Sequence, residues 1–98
     1  RAGCPVVAVA VEAGDPAKDQ NAAVLERAGA AFVRWTDLIT ARLVDDGIAE
    51  DLARELSVFI TSAIEGAIVI ARATRDVTPL DSTHRQLRSL LKAERGSA

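Results

Sequence analysis

The sequence predicts an all-α fold of four helices, and three observations carry that prediction. Apolar residues recur at three- and four-residue intervals over most of the chain. The breaks between these runs fall at helix-boundary residues: Gly14, Asp15 and Pro16, then Gly47, then Thr78 and Pro79. Only one short segment alternates as a strand would, and nothing elsewhere in the sequence offers it a partner.

That segment comes first. Val6 to Val11 reads VVAVAV, which periodicity alone scores as a strand. Pro5 is well placed as a first helical residue and Gly14 as a C-terminal stop, so a helix from Pro5 to Ala13 is expected instead. Asp15 and Pro16 then form an N-cap and first-turn pair, and Gly47 after Asp45 and Asp46 marks the next stop. Between them a long helix carries Val24, Leu25, Ala28, Ala31, Phe32, Trp35, Leu38, Ile39 and Leu43 at helical spacing, over roughly 40 Å at the α-helical rise.

Ile48 to Arg75 is the third helix, joined so tightly to the second that the two run antiparallel as an αα-hairpin. Its middle, Leu56 to Ala71, is apolar on nearly every side, and such a helix has to be covered all round. A small domain has few helices to do this, so a second copy of the chain is expected to supply part of the cover. Thr78, Pro79 and Asp81 start the last helix, which runs to Ala93. It sets Leu80, Thr83, Leu87, Leu90 and Leu91 on one face against Arg85, Arg88 and Lys92 on the other. The polar tail from Arg95 to Ala98 is expected to fray.

With 98 residues the chain makes one domain, 1–98; it is 49% apolar but only 3% aromatic, so its core is built of small and branched aliphatics. A net charge of -2 without a cluster of Lys and Arg argues against DNA binding by these residues themselves. The apolar run from Leu56 is interrupted by Thr61, Ser62 and Glu65 and reads as too short to cross a bilayer, so no membrane partner is expected. Cys4 stands alone, which fits a reducing compartment and makes the cytoplasm the default. Because the chain opens on Arg1 and contains no Met, it is expected to be a fragment with something lost upstream.

Side chains that could carry chemistry are few. One histidine, His84, and one cysteine cannot assemble a zinc site, and no nucleophile elbow or phosphate-binding glycine loop is present, so neither metal, cofactor nor enzymatic activity is expected. Cys4 reads more readily as a small buried residue than as a redox sensor. Glu65 sits among Thr61, Ser62, Ile64, Ile68 and Val69 with no cation at i+3 or i+4. Such a carboxylate either pairs with an Arg of a neighbouring helix or subunit, such as Arg34 or Arg72, or anchors a ligand's polar group; pairing is the commoner outcome. Phe32, Trp35 and Phe59 are the only aromatics; each alone reads as core filling, and together they are the best candidates for a pocket wall. Ala63, Gly66, Ala67 and Ala71 form a small-residue stripe that lets another helix approach closely.

These residues resemble the effector-binding half of TetR-type bacterial transcription regulators of the LmrA and YxaF kind. The carriers are Gly3, Cys4 and Pro5 followed by VVAVAVEA to Ala13, then Phe32, Trp35, Gly47, and IEGAIVIARA from Ile64 to Ala73. Thr78, Pro79 and Leu80 leading to LRSLL, Leu87 to Leu91, complete the match, whose most specific part is the Glu65, Gly66, Ala67 run ending in Ala71 and Arg72. The resemblance implies that the last two helices pair with those of a second subunit in an intersubunit four-helix bundle, within a four-helix antiparallel arrangement. It implies a small hydrophobic effector held by Phe32, Trp35, Phe59, Ala63 and Glu65. It assigns the homodimer interface to Ile64, Gly66, Ala67, Ile68, Ala71, Leu87, Leu90 and Leu91. Operator DNA would be reached only through an N-terminal helix-turn-helix domain that this sequence lacks, and effector binding would shift the population between two conformations of a repressor. A stand-alone helical dimerisation or scaffold module without a ligand is the alternative.

Overall fold

A computed structural model describes residues 22–97 together with Val6, and the described residues form helices and no strand. Helix α1 spans Ala22–Asp45, α2 Glu50–Thr74 and α3 Thr78–Ser97. The expected helix over residues 5–13 lies outside the described residues except for Val6, which is helical; Cys4 and the Asp15–Pro16 start of the second helix also lie outside them. Helix α2 is central, packing against both α1 and α3, which share one core cluster with it.

The turn between α1 and α2 is built by its sequence. Gly47 takes φ +98°, a region open to glycine and costly for side chains bearing a Cβ. The Gly47 N–H donates to the Val44 carbonyl at 2.9 Å and the Ile48 N–H to that of Leu43 at 3.1 Å, the two bonds of a Schellman motif. The hydrophobic contact that accompanies the motif is here part of the core, since Leu43 and Ile48 are both buried in one cluster with Ala53, Leu56, Ile60 and Leu87. Ile39, Ala63, Leu90 and Leu91 pack around that cluster, so the core sits at the end of the molecule nearest the α1–α2 turn.

The second turn uses different residues. Arg75 closes α2 in the left-handed conformation, φ 55° and ψ 43°, and the N–H groups of Arg75 and Asp76 both donate to the Ala71 carbonyl. Thr78, expected as the cap of α3, is already helical; the capping side chain is Asp76, which accepts hydrogen bonds from the Thr78 hydroxyl and from its N–H, the latter at 2.9 Å. Those two bonds, the hydroxyl's first, hold the exposed Asp76 carboxyl below its usual value.

Two boundaries differ from expectation. Helix α3 continues through Arg95 to Ser97 instead of fraying after Ala93. Its last turn reaches back to the first hairpin, where the Arg95 guanidinium donates to Asp46 at 2.7 Å while Arg42 approaches the other oxygen of the same carboxylate at 3.5 Å. The apolar run was also expected to be too short for a membrane. The whole of α2 is a 25-residue helix with a mean hydropathy of 1.6 over its most apolar window, long and apolar enough by those measures to span one. Interruptions at Thr61, Ser62 and Glu65 do not shorten the helix; they mark one of its faces. The same length and composition belong to the central helix of a bundle, the position α2 holds between α1 and α3.

A buried polar bond ties α1 to α2 inside the packed region. The hydroxyls of Thr40 and Ser57, both buried, lie 2.8 Å apart. Each also reaches a carbonyl of its own helix, Thr36 at 2.7 Å and Arg54 at 2.8 Å, so neither polar atom is stranded.

Candidate functional site

Beyond the core, towards the middle of the hairpin, α1 and α2 leave a groove between them. Its volume is about 420 Å³, and among the described residues it is lined by Phe32, Val33 and Thr36 from α1 and Val58, Thr61, Ser62 and Glu65 from α2. The α2 contribution follows from helical geometry, because positions 58, 61, 62 and 65 are spaced three, four and seven apart and fall on one face. Val33 and Val58 are 58% and 56% exposed and form the rims, so the groove opens to solvent along its length.

The polar atoms in the groove are mostly committed. Thr36 donates its hydroxyl to the Val33 carbonyl at 3.0 Å and Thr61 donates to the Ser57 carbonyl at 2.9 Å. Glu65 is different: its Oε1 is buried and meets no hydrogen-bond donor among the described residues. The pairing with a neighbouring arginine that the sequence favoured is therefore not made at this oxygen.

The sequence-derived ligand set divides. Phe32 and Glu65 line the groove. Trp35 stands against Phe32 edge to face, with ring centroids 5.4 Å apart and planes at 88°, and supports the wall without forming it. Phe59 does not line the groove because one helical step from Val58 carries it round α2; it is 52% exposed on a stripe with Leu52, Gly66 and Ile70. Ala63 lies on the opposite side, packed on the core cluster. Val33, Thr36, Val58, Thr61 and Ser62 were missed, although the Thr61, Ser62 and Glu65 interruption of an apolar run was a visible sign of a distinct face.

The residues assigned to a dimer interface also divide. Ala67, Ala71 and Leu87 are buried within the chain, Leu87 in the core cluster itself. Ile68, Leu90 and Leu91 are half-buried, the last two against that cluster. Ile64 and Gly66 are exposed, and a Cβ built on Gly66 would meet nothing within 4 Å among the described residues. Exposed apolar side chains of α2 include Leu52, Phe59 and Ile70 on one stripe and Val69 beside it.

A second depression of about 360 Å³ is lined by Asp37, Thr40, Ala41, Val44, Asp45, Glu50 and Arg54. Its one cation is shared between two of its three carboxylates, Arg54 reaching Asp37 at 3.5 Å and Glu50 at 3.2 Å.

The sequence can be placed among known proteins. Residues 1–86 match the family model described as transcriptional regulator LmrA/YxaF-like, C-terminal domain. The chain is 57% identical over 95 residues to an uncharacterized HTH-type transcriptional regulator of Mycobacterium tuberculosis strain H37Rv, covering 96% of this chain and 49% of the relative. A second regulator of the same description, from strain CDC 1551, gives the same figures. The uncharacterized HTH-type transcriptional regulator YxaF of Bacillus subtilis is 37% identical over 49 residues, covering 50% of this chain and 26% of that protein. The chain thus spans about half the length of the mycobacterial relatives it matches. No solved structure matches it significantly. The chain belongs to the LmrA/YxaF-like branch of the TetR family of transcriptional regulators, within the C-terminal domain of that family.

Proposed function

We propose that the chain is the effector-sensing and dimerisation half of a one-component transcription regulator, a cytoplasmic repressor released from its operator when a small apolar ligand enters the α1–α2 groove. The observation that carries this reading is the groove itself: about 420 Å³, predominantly apolar, with one carboxylate, within the size range of small-molecule sites. Membership in a family of transcriptional regulators supplies the function such a groove would serve. Operator DNA would be bound by a helix-turn-helix segment outside these 98 residues, in keeping with their net charge of -2. The ligand acts by binding one arrangement of α1 and α2 better than the other; equal affinity for both would switch nothing.

The homodimer is part of the same proposal. Leu52, Phe59, Gly66 and Ile70 give α2 an exposed apolar stripe facing away from the groove, which a second copy covers in a bundle that also involves α3. Light scattering at micromolar concentration should return a dimeric mass, and a clean monomer would end this part of the reading. Gly66→Leu should weaken the dimer. Since a Cβ at Gly66 meets no described atom of its own chain, the loss would report the partner's approach. The sensing function is tested by a thermal-shift screen over small apolar compounds: a ligand at about a hundred times its Kd stabilises by about 2.7 kcal/mol. If no compound raises Tm while the dimer persists, a scaffold module without a ligand is the better account.

A further inference from the structure

We propose that the ligand of the α1–α2 groove carries a hydrogen-bond-donating cation, a protonated amine or amidine on an apolar body, that docks on Glu65 Oε1. The inference rests on the effector-binding reading of the same groove and adds the ligand's chemical class. Glu65 is the one ionisable side chain among the described residues that line the groove. Its Oε1 is buried yet meets no donor among the described residues, and a buried acceptor without a donor is a costly arrangement that a bound donor relieves. Along α2 itself, positions i±3 and i±4 from Glu65 are Thr61, Ser62, Ile68 and Val69, which supply no cation. Thr36 and Thr61 have turned their hydroxyl protons to helix carbonyls, so they present lone pairs to the groove. The described lining thus offers a carboxylate and two hydroxyl acceptors, with the Ser62 hydroxyl beside them and Phe32, Val33 and Val58 as apolar walls. A cation with N–H groups matches that set through a charge-assisted bond, a neutral hydroxyl matches it less well, and an anion is repelled.

The experiment is calorimetric titration of the chain with three probes that share one ring system: 2-naphthylmethylammonium, 2-naphthylmethanol and 2-naphthoate. The ammonium should bind about tenfold or more tightly than the alcohol, the scale of one charge-assisted hydrogen bond, and the carboxylate should bind weakest. In Glu65→Gln, which keeps the side chain's shape, the preference for the ammonium should shrink to about twofold or less, with circular dichroism confirming the helices. Equal affinity for ammonium and alcohol in the unaltered chain would overturn the proposal while leaving the effector groove standing. A preference that survives Glu65→Gln would overturn it too, by placing the cation elsewhere. If none of the three binds, the effector reading falls and this proposal falls with it.

Discussion

Thr40 and Ser57 allow the tie between α1 and α2 to be measured on its own. Their two hydroxyl protons serve three close contacts: each other at 2.8 Å, the Thr36 carbonyl at 2.7 Å and the Arg54 carbonyl at 2.8 Å. One proton bridges the pair and the other goes to a carbonyl. Thr40→Val keeps the side chain's shape and leaves Ser57 its bond to Arg54; Ser57→Ala leaves Thr40 its bond to Thr36. Neither change strands a buried polar atom, so each single loss should stay near about 1 kcal/mol instead of the larger cost of an orphaned group. Ala is also the better helix former by a few tenths of a kcal/mol, which trims the apparent loss for Ser57→Ala. Because both changes delete the same bridging bond, the double variant should be about 1 kcal/mol more stable than the sum of the singles predicts. Propensity and packing differences cancel in that cycle. Urea unfolding at one fixed protein concentration measures it, and each kcal/mol corresponds to roughly 4–8 °C in Tm at this size. A coupling within about 0.3 kcal/mol of zero would mean that the hydroxyl contact contributes nothing and that the apolar cluster alone sets the hairpin.

The two turns predict opposite responses to their αL positions. Gly47→Ala should lower stability by about 1 kcal/mol because a Cβ is strained at φ +98°. Arg75→Gly, at φ 55°, should raise it by a few tenths to about 1 kcal/mol, and a fall in Tm for that variant would show that the Arg75 side chain matters more than its backbone. Asp76 predicts a pH signature. Its carboxyl is held below the ordinary value of 3.8 by hydrogen bonds from Thr78, so its contribution is present above that value and is lost as pH falls through the lowered one. The Tm difference between the unaltered chain and Asp76→Ala should therefore be widest above pH 3.8 and close in stronger acid; a pH-independent difference would rule out the charged cap.

The existence and order of the three described helices were legible because they depend on periodicity and on local punctuation. Gly47 announced a C-terminal stop, and the structure shows why in its positive φ and the paired bonds to Leu43 and Val44. Two boundary details were not legible: the local capping role of Asp76, two residues before Thr78, and the Arg95 bond to Asp46, 49 residues away, which appears only once the turns are closed. The groove shows the same division. Phe32 and Glu65 stood out by residue type. Val58, Thr61 and Ser62 are ordinary residues that line the groove only because the rotation of α2 against α1 turns their face inward. Phe59 illustrates the converse, since residue type marked it for a pocket while a single 100° step carries it away from one. Small residues were ambiguous for a related reason: Ala67 and Gly66 are neighbours in sequence, yet one is buried in the chain and the other faces open space.

The placement of the core gives the hairpin the mechanics of a pair of tongs. Leu43, Ile48, Ala53, Leu56, Ile60 and Leu87 lock the end near the turn, and the gripping surfaces, Phe32 and Thr36 facing Thr61 and Glu65, begin where that cluster stops: Thr61 follows Ile60 directly, and Thr36 lies about two helical turns before Leu43. Around the grip the buried apolar side chains among the described residues are the alanines Ala28, Ala31, Ala67 and Ala71, which bury less apolar surface than the leucines and isoleucines of the packed end, so spreading there costs less. Amide exchange should follow that gradient, slowest around Leu43 and Leu56 and faster along the rims at Val33 and Val58, so that an occupant would stiffen the arms and leave the pivot as it is.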